Sequence, residues 1–232
     1  MESKKLQIIG GVCAIFEAFI YITAFIVYGG ILVYPNENSS LVEELNFLSD
    51  NYLTLSILNL FSYVLFGIIL AVLVLAIHQR LKNYSPTLSK LASVFGIIWV
   101  GLVIASGMIT NIGLNTVIEI GAKEPEKAMS IWSNVVVISE GLGGGNEIVG
   151  GIWVLLISII AHKGQAFSKP PILIGILVGI AGILTIYPLG IFTELFGIGQ
   201  IIWFLWIGIF MIRKPSIVAR NKKTFANNTY NS

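Results

Sequence analysis

Long apolar runs alternate along the chain with short polar connections. The apolar runs cover residues 6–33, 52–77, 91–113, 135–161, 172–187 and 194–212. Residues 53–77 carry no charged side chain, and about 20 such residues cross the hydrocarbon core of a bilayer. The pattern predicts an all-α fold, a polytopic membrane bundle of six transmembrane helices. An open sheet is excluded, because lipid offers no partner for its edge groups.

One run is interrupted. Residues 139–151 read SEGLGGGNEIVGG, and each glycine there disfavours a regular helix by about 1 kcal/mol relative to alanine. Irregular backbone at membrane depth is tolerated only against protein or water. The break therefore points to a wet cavity, with Asn146 and Glu147 opening a fresh helix beside it. Gly145, Gly150 and Gly151 also suit close helix packing, and the two readings are compatible. The glycines resemble a nucleotide loop only in spelling, since no strand precedes them and no Lys-Ser/Thr follows.

Composition agrees with the runs. The 232 residues are 56% hydrophobic and 11% charged, against about 25% charged in soluble domains. The run at 6–33 is too long for a signal-peptide core and lacks a small-x-small cleavage site, so it reads as a retained first helix. The lone Cys13 excludes an intrachain disulfide. Charge then sets the orientation. With six crossings, Lys4, Lys5, Arg80, Lys82, Lys90, Lys163, Lys169, Arg213, Lys214, Arg220, Lys222 and Lys223 fall on one side. Only Lys123 and Lys127 fall on the other, among seven acids. The positive-inside rule then predicts cytoplasmic N- and C-termini. Residues 1–214 are expected to form the transmembrane domain, and 215–232 a basic, disordered cytoplasmic tail.

Four acids lie within apolar runs without an accompanying Lys or Arg: Glu17, Glu140, Glu147 and Glu194. A charged acid at the bilayer centre costs about 2.5–3.5 kcal/mol on insertion scales. These groups are therefore expected to point inward, sit near an interface or stay neutral. At about 1.5 Å per residue, Glu17 reaches mid-membrane and Glu147 the outer half, with Glu140 and Glu194 near the outer surface. Asn59, Asn146 and Gln200 fall in the same outer and middle zone, and the inner half is nearly free of such groups. Glu17, Asn59, Glu140, Asn146, Glu147, Glu194 and Gln200 are thus the candidate ligand-binding residues of an outward-facing polar cavity. Each also has a plainer role. Glu194 after Thr193 suits a helix start, Glu140 an interface, and Glu17 a hydrogen bond with Tyr21 one turn away. Trp132, Trp153, Trp203 and Trp206 read as interface anchors and packing residues. His78 and His162 read as helix-end residues complementing the dipole.

The stretches LSKLASVFGIIWVG and FGIGQIIWFLWIGIFMIRK, with the six-helix layout and short basic inner loops, resemble a family of uncharacterised bacterial and archaeal membrane proteins, the domain of unknown function 4386 family. The resemblance covers most of residues 5–214. It implies a six-helix fold in a prokaryotic cell membrane, and supplies no activity and no catalytic residues.

The function expected first is binding or permeation of a small polar or cationic ligand, or of protons. The second is a structural or regulatory membrane subunit whose intramembrane acids pair with a partner. The third is an intramembrane lipid enzyme with a glutamate as general acid or base. It ranks last, because no nucleophile or metal motif is present. The expected partners are the bilayer, a small ligand or protons, and a second copy or another membrane protein. No cofactor, metal or nucleic acid is expected.

Overall fold

The computed structural model describes residues 2–36, 38–144, 147–187 and 189–215. Asn146, Gly145 and the tail beyond residue 215 lie outside the described residues. Among the described residues the fold is all-helical. Its helices are α1 (Glu2–Ile26), α2 (Leu41–Asp50), α3 (Tyr52–Asn59), α4 (Phe66–Leu81), α5 (Pro86–Gly121), α6 (Pro125–Ser139), α7 (Ile148–Gly164), α8 (Lys169–Leu184) and α9 (Gly190–Arg213). Widened π-helical turns extend α1 over Val27–Ile31 and join α3 to α4 over Leu60–Leu65, and a kink at the non-helical Gly143 interrupts the turn Glu140–Gly144 that follows α6.

Five apolar helical stretches are long enough to cross a membrane: Ser3–Ile31, Tyr52–Leu81, Pro86–Gly121, Pro125–Gly164 and Gly190–Arg213. The run expected to supply the remaining crossing forms α8, whose 16 residues span about 24 Å. That falls short of a core about 30 Å thick. Six helices nevertheless close a ring, each packed on the next in the order α1, α4, α5, α7, α8, α9 and back to α1. Two crossings in the ring are backbone-close. An added Cβ at Gly11 on α1 would meet the Gly208 carbonyl of α9 at 2.8 Å. One at Gly151 on α7 would meet the Gly179 carbonyl of α8 at the same distance.

Aromatic side chains fill the ring. Trp99, Trp153, Trp203, Phe204 and Phe66 form a closed circuit, with successive centroids 5.4–6.3 Å apart. All five are at most 3% exposed. The sequence reading of Trp153 and Trp203 included packing, and they are core. Trp206 is 41% exposed, an arrangement suited to a bilayer-facing side chain.

Both ends of the described chain lie at one end of the ring, tied there by Arg80. Its Nη1 donates to Gln7 Oε1 at 3.0 Å and to the Lys214 carbonyl at 3.1 Å, and Nη2 donates to the same carbonyl at 3.0 Å. The guanidinium lies over Phe167 and Phe210, 5.5 and 4.9 Å from their centroids. Gln7 Nε2 in turn donates to the Ala76 carbonyl at 2.7 Å. His78 lies in the last turn of α4 and contacts Ser89 Oγ at 2.9 Å across the hairpin to α5. His162 lies in the last turn of α7.

A cap covers the opposite end. The connection after residue 113, expected as a loop, instead continues as helix to Gly121, making α5 36 residues long. The reason is visible locally. Leu114, Val117 and Gly121 keep one buried stripe, and Asn115 Nδ2 donates to Glu119 Oε1 one turn on at 2.8 Å. That stripe packs with Leu48, Leu55, Ala128 and Met129 into a second core built by α2, α3, α5 and α6. The acidic segment Leu41–Asp50 forms α2, begun by a reciprocal cap in which Glu43 N–H donates to Ser40 Oγ and Ser40 N–H to Glu43 Oε2.

Candidate functional site

The polar break sits between the cap and the aromatic circuit. Gly143 adopts φ 129° and ψ 18°, a backbone region that only glycine enters at low cost. Backbone groups freed there are met by side chains of neighbouring helices, as burial requires. The Ser139 carbonyl accepts from Ser106 Oγ of α5 at 3.0 Å. The Glu147 N–H donates to Thr185 Oγ1 at 2.9 Å, and that hydroxyl donates onward to the Gly182 carbonyl at 2.7 Å. Gly150 admits the Trp99 ring, which lies 2.7 Å from where a Cβ would stand. The glycine run thus supplies both a chain break at Gly143 and close packing at Gly150 and Gly151.

Two cavities flank this break. The inner chamber has a volume of about 350 Å³. Tyr21, Phe25, Tyr63, Phe66, Trp99 and Phe196 supply aromatic wall, and Glu147, Ser62, Thr193 and the tyrosine hydroxyls are its polar groups. The Glu147 side chain is buried, and its Oε2 has no hydrogen-bond partner among the described residues. Trp99 Nε1 lies beside this carboxyl without reaching hydrogen-bond geometry, so it too is unpartnered. Ser62 Oγ is a third unpartnered buried group on the wall. Among the described residues no Lys or Arg forms an ion pair with Glu147. Phe66 and Trp99 belong at once to the chamber wall and to the aromatic circuit.

The outer cavity, of about 590 Å³, lies under the cap. Glu44, Glu140, Asn59, Tyr34, Phe47 and Trp132 are among its lining residues. Tyr28 and Tyr63 line both cavities. The Tyr28 hydroxyl donates to Asn59 Oδ1 at 2.8 Å, so this bond stands at the shared wall.

The sequence-derived residues therefore separate. Glu147 lines the inner chamber, while Glu140 and Asn59 line the outer cavity. Glu17 and Gln200 are fully buried and line neither of these two cavities. Both carboxyl oxygens of Glu17 and both amide atoms of Gln200 lack a hydrogen-bond partner among the described residues. The bond anticipated between Glu17 and Tyr21 is not formed; the Tyr21 ring instead packs edge-on to Phe66, with centroids 5.6 Å apart. Glu194 is exposed in the first turns of α9 and lines neither cavity. Asn146 lies outside the described residues.

Several lining groups were not singled out from the sequence. Phe25 and Tyr28 recur with helical spacing beyond Glu17 and Tyr21, a signal present in the chain, and Tyr21 itself was expected only as a partner of Glu17. Ser62, Tyr63 and Trp99 give none, because their approach depends on how α4 and α5 pack. Among the described residues no group of three His, Cys, Asp or Glu side chains is placed to hold a metal. Comparison with protein families, curated proteins and solved structures finds no match to this chain.

Proposed function

We propose that this is a six-span membrane protein that takes a small cationic ligand, or a proton, into the inner chamber, where Glu147 receives it. In this reading the termini are cytoplasmic, as the charge distribution favours, and the outer cavity opens to the far side. The short α8 then spans with local thinning of the bilayer. A prokaryotic cell membrane and membership of the six-helix family that the sequence resembles belong to the same proposal.

One observation carries the reading: a buried carboxyl without a cation or a complete hydrogen-bond set, on the wall of a cavity and beside broken backbone. An uncompensated polar group at membrane depth is costly and marks a site that a ligand would complete. The aromatic circuit behind the chamber supports occupancy and gated release over an open pore. Glu17, one turn beyond the chamber-lining Tyr21, is the proposed inner station for a proton.

Reconstituted vesicles carrying labelled methylammonium or a pH-reporting dye provide the test. Wild-type protein should exceed empty vesicles in uptake or proton flux, and Glu147→Gln should return the rate to background. Unchanged rates in a folded Glu147→Gln protein would end this reading. The competing role, a subunit whose acids meet a partner's basic helix, instead requires a stoichiometric partner on copurification. Exposed Glu194 would be the first contact to disrupt in that case.

A further inference from the structure

We infer that the occupant of the inner chamber is an organic ammonium ion: an amine or quaternary ammonium group on an apolar body. This rests on the ligand-binding reading above and narrows it to one chemical class. The wall chemistry decides against the alternatives. A bare metal ion takes about six oxygen ligands when hard, or about four nitrogen and sulfur ligands when softer. The chamber offers one carboxylate, and no three-residue ligand group exists among the described residues. An anion would face that carboxyl with no Lys or Arg on the wall. A sugar would need a partner for every hydroxyl, and Glu147 is the only carboxylate or amide side chain among the lining residues, the rest of the polar wall being scattered hydroxyls. A proton needs no space of this size.

An organic ammonium ion suits the aromatic and the acidic parts of this wall together. Tyr21, Phe25, Tyr63, Phe66, Trp99 and Phe196 supply aromatic surface. Aromatic faces attract cations electrostatically, most strongly where water is excluded. Glu147 supplies the single counter-charge, and its unpartnered Oε2 can accept an N–H or pair with a quaternary centre. Ser62 Oγ, also unpartnered, adds one polar contact. The volume of about 350 Å³ falls at the small end of the range for small-molecule sites, about 300–1,000 Å³. The outer cavity repeats the combination with Glu44 and Glu140 beside Tyr34, Phe47 and Trp132. A cleft lined by one sign of charge concentrates the opposite ion, so a cation would be drawn toward the wall shared through Tyr28 and Tyr63.

The full chain in lipid nanodiscs, followed by tryptophan fluorescence, tests the class with two probes of similar size: 2-phenylethylammonium and neutral 2-phenylethanol. The wild-type protein should show saturable quenching by the ammonium ion at a concentration at least ten-fold below that needed for the alcohol. Glu147→Gln should remove that preference by weakening the ammonium ion alone, while Glu147→Asp keeps part of it. Equal binding of the two probes by the wild type would overturn the cation assignment and leave a ligand site standing. That comparison needs no variant, so a misfolded Glu147→Gln protein does not blunt it. Saturable binding of neither probe would also overturn the assignment, and the vesicle assay then decides separately whether Glu147 handles any ligand. An ammonium preference that persists in folded Glu147→Gln would overturn the role of this carboxyl.

Discussion

Thr185 shows how a single hydroxyl can hold a broken helix together. It accepts the Glu147 N–H and donates to the Gly182 carbonyl, so removing it orphans a buried amide next to the chamber. Leaving such a group unpaired costs about 1–3 kcal/mol. Thr185→Val should lower the melting temperature in nanodiscs accordingly, and Thr185→Ser should stay near wild type. Equal melting of both variants would remove the hydroxyl from the account. Gly143 has a different constraint, because its φ of 129° is open to glycine and strained for any L side chain. Glu17 and Gln200 belong at this scale as well. Their polar atoms are buried without partners among the described residues and line neither cavity, a costly kind of burial.

Among helical elements, the two widened turns and the kinked turn after α6 share a location. Val27–Ile31 brings Tyr28 to the cavities, Leu60–Leu65 brings Ser62 and Tyr63, and Glu140–Gly144 brings Glu140 and Gly143. Widened turns of this kind recur at functional sites because they release backbone groups and re-aim side chains. The α7–α8 crossing imposes the opposite demand, for close approach. Gly151→Leu would drive its side chain into the backbone of Gly179 and Gly182, and overpacking of this sort costs about 1–3 kcal/mol. A lower melting temperature with loss of the 2-phenylethylammonium signal is expected, since α7 carries Glu147 at its start. The start of α2 responds to pH. Bonds from the Ser40 backbone N–H and hydroxyl hold the Glu43 carboxyl below its ordinary value. Because the folded-state pKa is the lower one, the cap's contribution is complete above the unfolded value of about 4.3 and fades as pH falls through the folded value. Amide exchange over residues 40–44, corrected for its intrinsic pH dependence, should accelerate in that acid window. Glu43→Gln should abolish the pH response.

For the whole molecule, closure of the ring depends on the contact between its first and last members, α1 and α9. Gly11 and Gly208 bring the two backbones together, and Arg80 fastens the same end through Gln7 and the Lys214 carbonyl. A lysine cannot reproduce the two-pronged guanidinium geometry. Arg80→Lys should therefore speed amide exchange over residues 211–214 while leaving probe binding in the distant chamber unchanged. Faster exchange around Glu147 instead would show that the clasp also sets the site. Orientation is testable at this scale too. After Cys13→Ala, single cysteines placed beside Lys5 and Lys214 should react with a membrane-impermeant reagent only when the cytoplasmic face is opened.

Apolar run length was sufficient in the sequence to indicate helices, because bilayer thickness and backbone satisfaction act on each segment alone; six crossings were expected, and among the described residues five stretches are long enough. The break at SEGLGGGNEIVGG was legible for the same reason: glycine weakens a helix wherever it stands. The partition of the acids was not legible. Glu17 and Glu147 look alike in the chain, yet one is closed among packed helices and the other borders a cavity, which depends on helix rotation and crossing. Ser62, Tyr63 and Trp99 enter the site from helices distant in sequence, and Asn115–Gly121 became helix because α2 and α6 cover its buried stripe. A linear sequence records what each segment can bury; the packing of segments against one another decides which polar groups are left facing a shared space.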